Sequence, residues 1–496
     1  MRLGIAANRT DLELSQTLRP IPSFERSWAK FGQPGRLRLA VQLLTRCLGF
    51  DIASNVYALP PKFANRGNGI ARAEIGIPVA DGRISELFMI AVKPDKARTA
   101  AVSGGQQRKR WQPHIWAGCS FPAWMRLLAE HRVAVHWSQW LSAFLITFWS
   151  LFNTALGGVQ QAVYGRRIRR TRIRCAPIFI IGHWRSGTTL LHEFLSLDER
   201  HTSPTTYACM APHHFLVTES FFTRWLSFLA PSCRPMDNMA AGFDRPQEDE
   251  FALCMLGEPS PYWTIAFPNM PSQADDYLDL ECLSPRALAS WKRTFLQFLT
   301  ELTCKDDRRL ILKSPTHSCR IKTLLELFPD ARFVQIVRDP YVIYSSTIRL
   351  WKSLYADHAL QKPTLVGLQE RVLADFVRVD QKIDEGKKQV HADRFHKVRY
   401  EDLVCNPVNC MRDLYRRLDL GQFDRLQPRL EEHLTAIADY RTNRYYLSDA
   451  ERTLIDRHWG RIIRKHGYGS ASVAESPRRA VLVTVEAAAS LPACEK

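Results

Sequence analysis

Metal-binding cysteine patterns are absent from this sequence of 496 residues. Its 12 cysteines are scattered along the chain, without a CxxC pair and without a Cys/His cluster at the spacing of a zinc site. The opening stretch MRLGIAANRTDLELSQTLRP also lacks the basic start and apolar run of a secretory signal. We therefore expect a cytoplasmic protein whose thiols are reduced and mostly buried.

Acidic residues are scarce in the first third of the chain. Residues 1–174 contain 26 Lys and Arg against 9 Asp and Glu, whereas residues 175–496 contain 42 against 41. Because the basic excess lies upstream, the composition disfavours a nucleic-acid enzyme whose catalytic domain is basic overall. It favours an anionic surface that contacts the N-terminal third, and membrane lipid is the simplest such surface.

Hydrophobic periodicity is weak at both ends of the chain. We predict a poorly structured basic extension over residues 1–110 and a similar tail over residues 469–496. Residues 111–172 are predicted to form an apolar, membrane-associated helical segment that ends in a basic linker, residues 166–172.

Formally charged side chains are missing from residues 133–156. The length would suffice for a membrane span, but polar residues such as Ser138, Gln139 and Asn153 are unusual in one. One interpretation is an interfacial helix whose following arginines meet acidic headgroups. A helix packed on the catalytic domain is the second, and a span that leaves the catalytic domain in the cytoplasm is the third.

Short apolar runs alternate with amphipathic stretches from residue 173 onward. These runs are residues 178–181, 310–312, 333–337 and 395–399. Strands that alternate with helices predict a parallel sheet with helices on both faces, here within a catalytic domain of residues 173–468. Residues 200–300 are interpreted as helical insertions that build an acceptor pocket.

The stretch GHWRSGTT follows the first of these strands and begins a helix. It keeps both glycines of a Walker-type GxxxxGK[ST] loop, but Thr188 occupies the lysine position and Arg185 lies earlier in the loop. Such a loop would hold a γ-phosphate and its magnesium badly. It suits a terminal anionic group that needs hydrogen bonds and one planar cation.

Two further basic residues follow strands at the predicted ligand edge of the sheet. Arg338 ends a strand where an NTPase would offer an acidic magnesium ligand, and Ser346 comes eight residues later, in the next helix. This pair suits a second, separate phosphate. Lys313 ends the run LILK, where its charge can neutralise a leaving group.

Together these stretches resemble the sulfotransferases that use 3′-phosphoadenylyl sulfate (PAPS), most closely the bacterial carbohydrate and tyrosylprotein branches with an RSGTT loop. The similarity covers residues 176–468, including VRYEDLVCNP. It implies a P-loop NTPase-like three-layer α/β fold with a central parallel sheet and helical insertions, PAPS as co-substrate and no metal. By this resemblance, the 5′-phosphosulfate would be held by Arg185, Ser186, Gly187, Thr188 and Thr189. Arg338 and Ser346 would hold the 3′-phosphate, and Arg185 with Lys313 would stabilise the transferring group.

A general base is harder to assign. The tyrosylprotein branch has a glutamate where this chain has no carboxylate, between residues 201 and 212. Glu248 and Glu250 rank first, because FDRPQEDEFALC predicts a helix start within the acceptor-side insertion. An acidic first turn that only favours the helix dipole is the alternative. Asp249, His213 and His214 are further candidates, and His192 is interpreted as packed.

We therefore predict a PAPS-dependent sulfotransferase that modifies a hydroxyl, or less readily an amine, of a carbohydrate, lipid or related small-molecule acceptor. It would contact an anionic membrane peripherally and bind no nucleic acid. A nucleotide kinase or NTPase with a degenerate P-loop is one alternative. A non-catalytic nucleotide-binding membrane adaptor is the other.

Overall fold

The computed structural model describes residues 114–225, 242–270, 274–437 and 445–469. The extension predicted for residues 1–110 lies outside the described residues, and so does the predicted tail beyond residue 469.

A parallel sheet forms the centre of the fold, as predicted. Its strands are β1 (Ile178–Ile181), β2 (His201–Thr202), β3 (Arg309–Lys313), β4 (Arg332–Val337) and β5 (Phe395–Arg399). They lie in the order β2-β3-β1-β4-β5, and every neighbouring pair is parallel. Sequence reasoning found four of these strands but neither the short β2 nor the strand order. β1 and its loop therefore lie between β3, which ends in Lys313, and β4, which precedes Arg338.

Helices cover the sheet and fill the insertion between β2 and β3. The α-helices of the described residues are α1 (Phe121–Glu130), α2 (Trp140–Arg170), α3 (Thr188–Ser196), α4 (Thr206–Met210), α5 (Phe215–Trp225), α6 (Asp249–Leu256), α7 (Pro285–Lys305), α8 (Ile321–Leu327), α9 (Pro340–His358), α10 (Leu368–Lys387), α11 (Tyr400–Cys405), α12 (Pro407–Arg417), α13 (Gln427–Ala436) and α14 (Asp449–Lys465). Short 3-10 turns connect several of them, among which Pro261–Ile265 and Pro315–Cys319 contribute to the site.

Alternate residues of the strands face two different cores. Ile178 and Ile180 pack with α3, α11 and α12, whereas Phe179 and Ile181 pack with the helices of the opposite face. β1 is buried on both sides, which explains its uninterrupted apolar sequence. This arrangement confirms the predicted three-layer α/β fold.

Residues 114–170 pack against the catalytic part. Trp116, Trp124 and Ile146 share one hydrophobic core with Phe179 of the sheet. Most arginines of the predicted basic linker lie within α2, which continues to Arg170. The apolar segment and its basic end are therefore parts of one helix.

Candidate active site

The loop between β1 and α3 is held by hydrogen bonds to Ser318, and its conformation requires glycine at position 187. Gly182 N donates to Ser318 Oγ at 2.8 Å, and Ser318 Oγ donates back to Gly182 O at 3.2 Å. Gly187 has a φ of 103°, and a Cβ at this position would lie 2.3 Å from Tyr400 Cδ2. A larger residue would therefore be strained and would also collide with the Tyr400 ring.

Arg185 joins the loop to the second predicted anion site. Its backbone is left-handed, with a φ of 70°, and its Nε donates to Ser346 Oγ at 2.8 Å. Arg338 Nη1 donates to Arg185 O at 3.2 Å, and Tyr445 OH donates to Ser346 Oγ at 3.1 Å. The structure thus brings Arg185, Arg338 and Ser346 together at one sheet edge. Tyr445 was not found from the sequence, since it follows in a distant segment without a motif.

An aromatic ring supports the second arginine. The Arg338 guanidinium lies over the Tyr400 ring, 4.0 Å from its centroid, which is the geometry of a cation–π contact. Arg338 comes directly after β4, and Asp339 caps α9 by accepting from Tyr341 N at 2.9 Å. Burial raises the pKa of Asp339. Arg338 is therefore oriented by its ring and by its place at the strand end.

Lys313 lies between the loop and a carboxylate. Its Nζ donates to Glu248 Oε1 at 2.9 Å and approaches Thr189 Oγ1 at 3.5 Å. The Lys313 side chain is only 1% exposed, and Glu248 is the N-cap residue of α6. Ser314 fixes this helix start, because its Oγ accepts from Glu250 N at 3.1 Å. A cation and a potential proton acceptor therefore meet next to the loop.

Two aromatic residues extend this cluster. Tyr262 OH donates to Glu248 Oε2, and Trp184 Nε1 donates to Tyr262 OH at 3.0 Å. Burial and the Glu248 carboxylate hold the pKa of Tyr262 well above its ordinary value. The phenol therefore stays a neutral donor that orients Glu248. Neither role was predicted from the sequence, although the aromatic character of the insertion that contains Tyr262 was a signal for one of them.

The other two carboxylates of the acidic triplet face elsewhere. Glu250 is fully buried and forms an ion pair of 2.5 Å with Arg320, and it also accepts from Ser260 and Thr316. Asp249 accepts from His317 at 2.7 Å. Burial alone would raise the pKa of Asp249, but the charge and hydrogen bond of His317 lower it. Of the triplet, Glu248 is the residue that contacts Lys313.

The candidate histidines lie in packed positions. His192 is fully buried on α3, and burial, aided by the charge of Lys313, lowers its pKa to about 3. His213 Nε2 contacts Met255 O at 2.9 Å. His214 contacts Thr218 Oγ1 at 2.8 Å, and burial lowers its pKa to about 4. Within the described ranges, no group of three or more His, Cys, Asp and Glu residues is arranged to hold a metal ion.

The arrangement fits a ligand with two separate anionic groups. Lys313 lies beside Thr189 at the N-terminus of α3, which forms one position, and Arg338 with Ser346 forms another. Arg185 belongs to the loop of the first position, and its side chain reaches Ser346 of the second. With a carboxylate beside Lys313, the class of protein defined by this fold and site is a nucleotide-dependent group transferase.

Comparison with known proteins identifies the class more closely. The model of the sulfotransferase family matches residues 177–425. The chain is 52% identical over 360 residues to omega-hydroxy-beta-dihydromenaquinone-9 sulfotransferase Stf3 of Mycobacterium bovis and of Mycobacterium tuberculosis, covering 73% of this chain and 92% of each relative. The chain belongs to the sulfotransferase family, as its motifs predicted. Its relation to the branch with an RSGTT loop stays a prediction.

The fold is also that of a solved sulfotransferase structure, at low identity. Sulfotransferase STF9 from Mycobacterium avium is 17% identical, with a TM-score of 0.50, and the match covers 70% of this chain and 96% of that one. STF1 from Mycobacterium tuberculosis is 19% identical with a TM-score of 0.45, covering 63% of this chain and 86% of that one.

Proposed function

We propose that this sulfotransferase transfers a sulfuryl group from PAPS to the hydroxyl group of an isoprenoid-quinone lipid. The observation that carries the proposal is the 52% identity to a relative named as a sulfotransferase of an omega-hydroxylated dihydromenaquinone, over 92% of that relative. Among the acceptors considered from the sequence, this favours a lipid over a carbohydrate and a hydroxyl over an amine.

The donor would occupy both anion positions. Residues 185–189 and the N-terminus of α3 would hold the 5′-phosphosulfate, and Arg338 with Ser346 would hold the 3′-phosphate. The hydrogen bond of 2.8 Å between Arg185 Nε and Ser346 Oγ supports this assignment, because it joins a residue proposed for the first group to one proposed for the second. Arg338, oriented on the Tyr400 ring, supplies a planar cation for the 3′ group.

When bound, PAPS supplies an activated sulfuryl group. Glu248 would accept the proton of the acceptor hydroxyl, whose oxygen forms the new S–O bond as the bond from sulfur to the bridging oxygen breaks. Lys313 and Arg185 would offset the negative charge that the bridging oxygen gains, and adenosine 3′,5′-bisphosphate would leave. The Lys313 ammonium has three protons, so it can contact Glu248, Thr189 and a donor oxygen together.

Of the two glutamates ranked first, the contacts favour Glu248 as the base. Glu250 already accepts from Arg320, Ser260 and Thr316, and a carboxylate with this many buried donors is poorly available to a substrate. The Tyr262 hydroxyl would keep the Glu248 carboxylate directed towards Lys313. Proximity of Lys313 to Glu248 also favours a catalyst over a non-catalytic adaptor.

A panel of acceptors with labelled PAPS tests the acceptor class. We expect transfer to an omega-hydroxylated isoprenoid quinone and none to the same quinone without the hydroxyl. Preferential transfer to a carbohydrate or to an amine would contradict the proposal.

Ligand-induced thermal stabilisation tests the donor separately. Adenosine 3′,5′-bisphosphate should raise the melting temperature without magnesium, because the site provides two anion positions from side chains and backbone. ATP with magnesium should not. The reverse result would favour the kinase or NTPase alternative instead.

A further inference from the structure

Helix α2 has its polarity inverted relative to a helix of a soluble protein. Its outward side exposes large apolar residues, with exposed fractions of 67% for Trp140, 68% for Phe144 and 56% for Phe148. Leu141, Leu145, Leu151, Phe152, Val159 and Val163 are exposed as well. Its buried side includes Ser150, Asn153 and Gln160. Water normally favours the opposite arrangement, so the outward side is suited to an apolar surrounding.

The buried polar residues attach α2 to the catalytic part along its side. Asn153 Oδ1 lies 3.2 Å from His214 Nε2, and Gln160 Oε1 accepts from Leu216 N at 2.9 Å. Trp124 Nε1 of α1 donates to Thr147 Oγ1 of α2 at 2.9 Å. By length and composition alone, residues 137–170 would be sufficient to cross a membrane. Hydrogen bonds along one side of α2 attach it to the rest of the protein. The helix is therefore positioned to lie on the surface of a bilayer rather than to cross it.

A basic cavity continues the apolar side at its C-terminal end. The cavity has a volume of about 830 Å³, and its lining includes Val163, Arg166, Arg167, Arg170, Arg172 and Arg174. Val163 therefore belongs to both surfaces. Asp307 also lines the cavity, but no ion pair joins a carboxylate to these arginines in the part of the chain that the structure describes. Lys305 at the rim is paired with Glu219 at 2.7 Å.

We propose that the outward side of α2 and the adjoining arginine cavity form one membrane face that docks on a bilayer containing anionic phospholipid. The apolar side chains would enter the boundary between headgroups and acyl chains, and the arginines would bind lipid phosphates. A second copy of the chain is a poorer occupant, since it would bring the same arginines and no compensating acidic surface from α2.

The face is connected to the acceptor side of the site. Its N-terminal end begins beside His136, whose N donates to Leu360 O at 2.8 Å, and Leu360 N donates to Ala266 O at 2.8 Å. Ala266 directly follows the turn Pro261–Ile265 that contains Tyr262. Docking would therefore bring the Glu248 region to the lipid surface. This last step rests on the lipid acceptor proposed above, whereas docking itself does not.

Vesicle sedimentation of the full chain tests the face. Phosphatidylcholine vesicles, with and without phosphatidylglycerol, are compared for wild type, Phe144→Ser/Phe148→Ser and Arg166→Gln/Arg170→Gln. The phenylalanine variant should bind both vesicle types at least about tenfold more weakly. The affinity of the arginine variant should fall about 25-fold for vesicles with phosphatidylglycerol, which is about fivefold for each charge removed. Its affinity for vesicles of phosphatidylcholine alone should change little.

Arg457→Gln/Arg461→Gln, on the exposed side of α14, removes the same charge and should bind as wild type does. All changed residues are exposed, and the melting temperature checks their folding. The proposal is overturned if wild type stays in the supernatant, or if the phenylalanine and arginine variants sediment like wild type. It is equally overturned if the wild type does not bind lipid but light scattering shows that it is a dimer, and if Phe144→Ser/Phe148→Ser makes this dimer dissociate. Sedimentation requires no turnover, so a wrong acceptor would leave these results unchanged.

Discussion

Replacement of Lys313 by methionine tests the centre of the proposed chemistry. The change keeps most of the side-chain volume at a position that is 1% exposed and removes its charge. If Lys313 stabilises the leaving group, the loss of one such donor should lower kcat by about 10²- to 10³-fold. The KM for PAPS should change much less, because Arg338 and the loop remain.

Stability must be separated from turnover in this variant. Lys313→Met leaves the Glu248 carboxylate without its cation, although Tyr262 still donates to it, so we expect the free energy of unfolding to fall by about 2–3 kcal/mol. In Lys313→Met/Glu248→Gln both charges are gone, and most of the stability should return. Turnover should not return, because the double variant lacks both proposed catalytic groups.

Labelled-sulfuryl transfer and urea unfolding measure the two quantities on the same preparations. Lys292→Met is the matched control, since it removes a lysine that pairs with Glu326 at 2.6 Å on an exposed surface. It should cost less than about 1 kcal/mol and leave kcat unchanged. A Lys313→Met enzyme with wild-type kcat would refute the reasoning. Recovery of turnover together with stability in the double variant would assign Lys313 a structural role.

Four further changes distinguish the remaining roles. Arg338→Ala should weaken binding of adenosine 3′,5′-bisphosphate about 10- to 100-fold by calorimetry, because a charged hydrogen-bond partner of the 3′-phosphate is lost. Glu248→Gln should lower kcat by about 10²- to 10⁴-fold and the free energy of unfolding by about 2–3 kcal/mol, because it leaves the buried Lys313 ammonium without its anion. Glu250→Gln should lower the free energy of unfolding by about 3–5 kcal/mol, since it breaks a buried ion pair with Arg320. Burial raises the pKa of Glu301 to about 7 from 4.5. Glu301 therefore stabilises the fold fully below pH 4.5, and this stabilisation is lost as the pH rises through 7. The free energy of unfolding should fall by about 3 kcal/mol over this range, and Glu301→Gln should remove that pH dependence in urea unfolding.

Each of these has a built-in comparison. Adenosine 5′-phosphosulfate has no 3′-phosphate, so Arg338→Ala should leave its affinity unchanged, and an equal loss for both ligands would contradict the assignment. A stable Glu250→Gln enzyme that lacks turnover would return the base proposal to Glu250. Glu301→Gln with wild-type pH dependence would mean that another group titrates.

Residues at strand ends could be predicted from the sequence. Arg185, Lys313 and Arg338 each follow an apolar run, and the carboxyl ends of parallel strands meet at one edge, so their proximity follows from topology. Ser346 follows by counting turns of a helix. The layered fold was predictable for the same reason, whereas the family followed from the resemblance of these motifs to known sulfotransferases.

The directions in which side chains of the insertion point could not be predicted from the sequence. Glu248 and Glu250 differ by two positions at a helix start, where successive side chains diverge by about 100°. Which one meets Lys313 depends on Ser314 and on the packing of α6, neither of which has a sequence signature. In α2, Asn153 argued against a membrane span, because composition ignores the side of the helix on which a residue lies.

Gly187, Tyr400 and Arg338 are layered in contact, loop against ring and ring against cation. One rigid phenol ring is therefore in contact with both the loop that follows β1 and the cation that follows β4. A substitution of Tyr400 would disturb these two parts together, which makes the ring a shared support of the site rather than a contact of either part alone.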